Sequence, residues 1–145
     1  MNILISACLL GMPCRYDGND NYNEKILALG EYHNLIPVCP EQMGGLPTPR
    51  TPAERVGQFV LTRDGEDVTD EYRRGAEFAL KMAQDNDCSA AVLKERSPSC
   101  GSGKIYDGSF SGTLTDGWGV TAELLLQNGI SVYGESEIDR LFPRF

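Results

Sequence analysis

Asn2-Ile3-Leu4-Ile5-Ser6-Ala7-Cys8 is a short apolar run that ends on a cysteine, and turn chemistry follows at once in Gly11-Met12-Pro13 and Asp17-Gly18-Asn19-Asp20. This reads as a buried strand leading into a loop. The pattern returns three times. Leu35-Ile36-Pro37-Val38 runs into Cys39-Pro40-Glu41, and Ala90-Ala91-Val92-Leu93 precedes the loop Arg96-Ser97-Pro98-Ser99-Cys100-Gly101-Ser102-Gly103. Ile130-Ser131-Val132-Tyr133 supplies a fourth strand.

Helical patterns fill the intervals. Asn23 is a good N-cap for a short helix with Ile26, Leu27 and Tyr32 on its buried face. From Asp70 to Gln84, the residues Tyr72, Ala76, Ala79, Leu80 and Ala83 recur at helical spacing. Thr121 to Gln127 is a helix stopped by Asn128-Gly129, and a last short helix spans Ser136 to Phe142. Strands alternating with helices predict a mostly parallel sheet of about four strands, covered on both faces and joined by right-handed crossovers. The expected fold class is therefore α/β, a single Rossmann-like three-layer α/β/α domain over residues 1–145. Prolines and glycines after Cys39 predict a long rigid loop, and Asp64-Gly65 predicts a small hairpin between Gln58–Thr62 and Asp67–Thr69. Residues 104–119, rich in glycine and serine but carrying Tyr106, Phe110 and Trp118, read as an ordered loop.

Charge and composition narrow the function. Thirteen basic against twenty-one acidic residues give a net charge of -8, which opposes attraction to a nucleic acid duplex or an anionic membrane. No window approaches the length of a membrane span, and the amino terminus lacks the basic segment of a secretory signal, so the expected location is the cytoplasm. In that reducing compartment, five cysteines do not form a disulfide framework, and metal binding or catalysis becomes the leading explanation.

In an open parallel sheet, ligands bind beyond the carboxyl ends of the strands. Cys8, Cys39 and Cys100 each follow a predicted strand, so the topology gathers three sulfurs on one edge. Cys88 precedes its strand and reads as structural. Cys14, further out on the first loop, is either a fourth ligand or a spectator. Thiolates select zinc, copper(I) or iron–sulfur centres, and spacing alone does not choose among them. His33, the only histidine, lies at the wrong end of the second strand and reads as structural. Gly101-Ser102-Gly103-Lys104 lacks the flanking residues of a phosphate loop. Glu41 is either a general acid/base beside the centre or a solvated loop carboxylate, and Ser97 and Ser99 either orient a substrate or bond the backbone.

Seven motifs in order, Cys8-Leu9-Leu10-Gly11, Arg15-Tyr16-Asp17-Gly18, Val38-Cys39-Pro40-Glu41, Gly44-Gly45-Leu46, Pro49-Arg50, Ser97-Pro98-Ser99-Cys100-Gly101 and Tyr106-Asp107-Gly108, resemble a bacterial domain-of-unknown-function family that includes thiouracil desulfidase. The resemblance spans essentially the whole chain. It implies a 4Fe-4S cluster held by three cysteines, here Cys8, Cys39 and Cys100, with one iron open to the sulfur of a thiolated nucleobase. It further implies Glu41 as catalytic acid/base, assisted by a serine, Ser97 before Ser99. Arg15, Asp17, Arg50 and Lys94 near these segments either orient the heterocycle, tune the cluster through outer contacts, or make ordinary surface and loop ion pairs. The implied reaction is non-redox desulfuration of 2-thiouracil or a related thioamide to the oxo compound and sulfide. Its partners would be the small thiolated substrate and the iron–sulfur assembly machinery. A non-catalytic iron–sulfur or sulfide sensor, a sulfur carrier and a zinc-thiolate hydrolase are the rival readings.

Overall fold

The computed structural model describes residues 1–143. Four strands, β1 (Asn2–Ser6), β2 (Asn34–Val38), β5 (Cys88–Leu93) and β8 (Ser131–Gly134), form one parallel sheet in the order β2-β1-β5-β8. Pro37 has no N–H to give to a ladder, and it is tolerated because β2 is an edge strand. Alternation along β1 splits the core into two layers. Leu4 packs with Ala91, Leu93 and the helices α3 (Thr69–Asp85) and α4 (Val120–Gln127), while Ile3 and Ile5 pack with Val92 and α1 (Glu24–Leu29) on the other face. All of these strand residues have no measurable exposure, as strands covered on both faces require. The result is the expected three-layer α/β/α arrangement. Among the described residues, no helix is long and apolar enough to cross a membrane.

Several local expectations change. Asn23 caps α1 through its side chain, which accepts from Lys25 and Ile26, but the helix buries Ile26 and Leu29, leaves Leu27 51% exposed and ends before Tyr32, which is exposed as well. The segment after Cys39 is not wholly loop: Pro40 opens a single helical turn, α2 (Pro40–Met43), with its fixed φ and missing N–H both suited to the first position. The hairpin before α3 pairs β3 (Ala53–Val56) with β4 (Phe59–Thr62) and turns at Gly57, one strand earlier than expected. The Asp64-Gly65 turn survives beside it as a single bridge between Leu61 and Asp67. Residues 104–119 are not a loop but part of a second hairpin, β6 (Ser102–Tyr106) with β7 (Leu114–Trp118).

Two close approaches place the loops at the carboxyl edge of the sheet. The first four amides of a helix need outside partners. In α4 the amides of Val120 and Thr121 find them in the carbonyls of Pro98 and Ser99, at 2.9 and 2.8 Å, which seats the segment around Cys100. The second approach is at Gly75 in the middle of α3, where a Cβ would lie 1.9 Å from the carbonyl oxygen of Pro40. Glycine there lets α2 lie directly on α3 and fixes the direction in which Cys39 and Glu41 leave β2.

That contact yields a prediction opposite in sign to helix propensity. Alanine is favoured over glycine inside a helix by about 1 kcal/mol, but overpacking costs about 1–3 kcal/mol. Gly75→Ala will therefore lower the midpoint of thermal unfolding, by roughly 2–4 °C per kcal/mol lost. A raised midpoint in calorimetry would show that α2 and α3 are not in contact.

Candidate functional site

A cavity of about 470 Å³ opens at the carboxyl edge of the sheet, within the size range of small-ligand sites. Cys8 reaches it from the 3-10 turn Ala7–Leu10 that follows β1, Cys39 from the N-cap of α2 directly after β2, and Cys100 from the loop beyond β5. Cys88 opens β5 at the far end of the sheet and is buried against the α3 layer. His33 is structural: its Nε2 meets the carbonyl of Leu141 at 2.6 Å, away from the cavity.

Cys14 is the largest departure from the sequence expectation. The first loop folds back through bonds from the Cys14 amide to Met12 and the Arg15 amide to Asn19, so Cys14 is buried in the cavity wall rather than further out. The Cys39 thiol donates to the Cys14 carbonyl at 3.8 Å. The neighbouring Cys14 side chain lowers Cys39 to about 7 against the opposing effect of burial, and it lowers Cys8 as well. Cys14 itself is driven far up, chiefly by the adjoining Cys39 and Cys8 side chains. Burial pushes Cys100 up to about 12.

Glu41 and Arg50 form a nearly buried ion pair in the same wall, with Arg50 Nε donating to Glu41 Oε2 at 2.7 Å and Nη2 lying 2.5 Å from that oxygen. Burial opposes the Arg50 charge, but the adjoining carboxylate prevails and its pKa is raised. Tyr72, buried on α3, faces the pair, and burial followed by the Glu41 charge lifts its phenol well above the ordinary range. Ser97 lines the cavity and its Oγ accepts from the amides of Ser99 and Cys100, both at 3.1 Å. Ser99 does not line the cavity. It is fully buried and bonds Thr121 Oγ1 at 2.8 Å, a contact that ties the loop to α4.

The four proposed heterocycle contacts also separate. Arg15, Arg50 and Lys94 line the cavity, while Asp17 stands outside its wall and pairs with Arg15 at 3.1 Å. Lys94 pairs with Glu135 at 2.9 Å. Tyr72, Arg63 and Phe110 line the cavity without having been singled out as site residues. Tyr72 reads as core because it lies on an apolar helical stripe, and nothing local marks Phe110 except the glycines around it.

The donor set fits an iron–sulfur cluster: four thiols, those of Cys8, Cys14, Cys39 and Cys100, all free of disulfides, converge on one cavity with no histidine among its lining residues. Among the described residues, no three His, Cys, Asp or Glu side chains gather as they would around a single ion.

In the metal-free chain the thiol environments should be readable by alkylation, since only the thiolate attacks. Deprotonation increases with pH, so the rate of iodoacetamide labelling at Cys39 will climb through pH 7 and level off above it. Cys8 will also react below the ordinary thiol range, while Cys88 and Cys100 stay protected. Peptide mass spectrometry that finds Cys100 labelled ahead of Cys39 at pH 7 would contradict this ordering.

Comparison with known proteins agrees with the geometry. The profile of the 2-thiouracil desulfurase family matches residues 3–137. Uncharacterized protein YbbK of Bacillus subtilis (strain 168) is 46% identical over 147 residues, covering 94% of this chain and 97% of that relative. The solved structure of 4Fe-4S-dependent thiouracil desulfidase TudS superposes with a TM-score of 0.91 at 48% identity, covering 97% of this chain and 94% of that one. With the profile spanning nearly the whole sheet and every loop that lines the cavity, the chain belongs to the 2-thiouracil desulfurase family.

Proposed function

We propose that this protein is an enzyme that removes sulfur from a thiolated nucleobase or related thioamide, converting 2-thiouracil and water to uracil and sulfide without net electron transfer. The observation that carries this reading is the meeting of Cys8, Cys39 and Cys100 with the Glu41 carboxylate on one cavity. A 4Fe-4S cluster held by those three cysteines would supply an iron with an open position, a Lewis acid for the thiocarbonyl sulfur.

The chain's own residues supply the remaining work. Arg50 engages Glu41 through Oε2, and Oε1 takes the proton from the attacking water. Water adds to the thiocarbonyl carbon, forming the carbon–oxygen bond as the carbon–sulfur π pair moves onto sulfur. Loss of the second water proton lets the carbonyl form and expels the sulfur with the remaining carbon–sulfur pair, and the two protons taken from water end on the released sulfide. Ser97 Oγ already accepts two backbone amides, so its own hydrogen is free to donate to the substrate. Arg15 and Lys94 present positive charge to the polar edge of the heterocycle. Five free thiols suit a reducing compartment, and we place the protein in the cytoplasm, loaded there by iron–sulfur assembly machinery.

Anaerobic reconstitution with iron and sulfide, followed by a sulfide-release assay on 2-thiouracil, tests the proposal. The expected product has about four irons per chain, as a 4Fe-4S centre requires, and turns over many times. Cys8→Ser, Cys39→Ser and Cys100→Ser should each lose the cluster while Cys88→Ser keeps it. Glu41→Ala should keep the iron and lose at least about 10²-fold in turnover, the usual scale of general acid–base catalysis. A fully loaded wild-type chain that releases no sulfide would leave the sensor reading in its place.

A further inference from the structure

The mouth of the cavity is framed by the two hairpins, and the contact that joins them has no part in the chemistry above. Glu54 of β3 is buried, and its Oε1 accepts from the backbone amides of Gly108 at 2.9 Å and Phe110 at 3.2 Å. No lysine or arginine pairs with it among the described residues. A buried carboxylate is costly unless its oxygens are bonded, so these two amides are what hold it there, and it in turn holds them. Gly108 sits so close to β3 that a Cβ would meet Val56 Cγ2 at 2.4 Å. The next residue, Arg55, donates to the carbonyl of Trp118 at the end of β7, at 2.6 Å, and pairs with Glu123 of α4. The turn between β6 and β7 is thus clasped to β3 rather than hanging free.

The clasp presents one side chain. Phe110 has φ +56°, a left-handed conformation that aromatic residues rarely adopt. Its half-buried ring lines the cavity, with the Arg63 guanidinium over one face at 5.8 Å from the centroid. Backbone strain that a surrounding structure takes trouble to hold is a pointer to function. An aromatic face at a cavity mouth binds planar bases by stacking, with little regard to their substituents.

We propose that Phe110 is the stacking platform for a planar unsaturated heterocycle, and that Glu54 is the positioning residue that fixes it. The platform reads the ring and not the sulfur. This rests on the desulfurase reading only for the turnover measurements, because ring binding is separable from chemistry.

On reconstituted enzyme, Phe110→Ala should raise KM for 2-thiouracil about tenfold, equivalent to about 1.4 kcal/mol, with kcat within about twofold of wild type. Phe110→Tyr should restore KM. Phe110→Leu, which keeps apolar bulk but lacks a π face, should not. Glu54→Ala should raise KM to the same degree and speed hydrogen exchange at the Gly108 and Phe110 amides. The double variant should be no worse than either single one, as expected when one residue acts through the other.

Uracil has no sulfur, so its Kd by equilibrium dialysis on the same protein should weaken by the same factor in Phe110→Ala. That result would support the platform even in a wild-type chain that releases no sulfide, which separates failure of this inference from failure of the desulfurase reading. An unchanged uracil Kd in Phe110→Ala, a leucine that binds as well as phenylalanine, or a loss confined to kcat would each overturn it. So would a wild-type chain that binds no uracil.

Discussion

Arg50 makes the contacts on which the wall of the cavity depends. Its guanidinium reaches Glu41 on α2, the carbonyl of Cys14 at 2.9 Å on the first loop, and Thr48 Oγ1 and the Pro47 carbonyl at 2.9 and 3.2 Å on its own segment. The first loop is thereby joined to α2 and the segment after it through one planar fork, which a lysine's point charge would not reproduce. Such a pair is favourable only while complete, because removing one partner of a buried ion pair costs about 3–5 kcal/mol. The same contacts that orient the Glu41 carboxylate therefore also hold Cys14 against its neighbours.

The consequence reaches the thiols. Cys14 occupies its place because the loop returns to Arg50, and from there its side chain lies beside Cys8 and Cys39 and shifts both. Cys8 and Cys39 are eased toward the thiolate form that metal ligands need, while Cys100, enclosed by apolar core and the loop before α4, is not. The three proposed ligands are thus unequal before any cluster arrives. Two lie where solvent and incoming iron reach them, and the third is deep.

Around this wall the architecture divides the labour. The parallel sheet delivers the ends of β1, β2 and β5 to one edge, as its topology requires. Contact between α2 and α3 through Gly75 sets the height of Cys39 and Glu41 above that edge. The hairpins, which belong to neither helical layer, close the mouth and carry Phe110, Arg63 and Tyr106 to it.

Much of this was legible in the order of residues alone. The runs of β1 and β5 stand out because central strands buried on both faces need no polar alternation, and the alternation of strands with helices permits few topologies other than a parallel sheet. Once that sheet is granted, Cys8, Cys39 and Cys100 fall together by rule. The β6/β7 hairpin was hidden, because glycine and serine carry its strands and leave no apolar period to read. Cys14, Tyr72, Ser99 and Phe110 were settled only by the tertiary structure. Which way a loop returns, which side of a helix meets a carboxylate, and where a strained ring is pinned depend on contacts between segments dozens of residues apart, and local sequence carries no record of those.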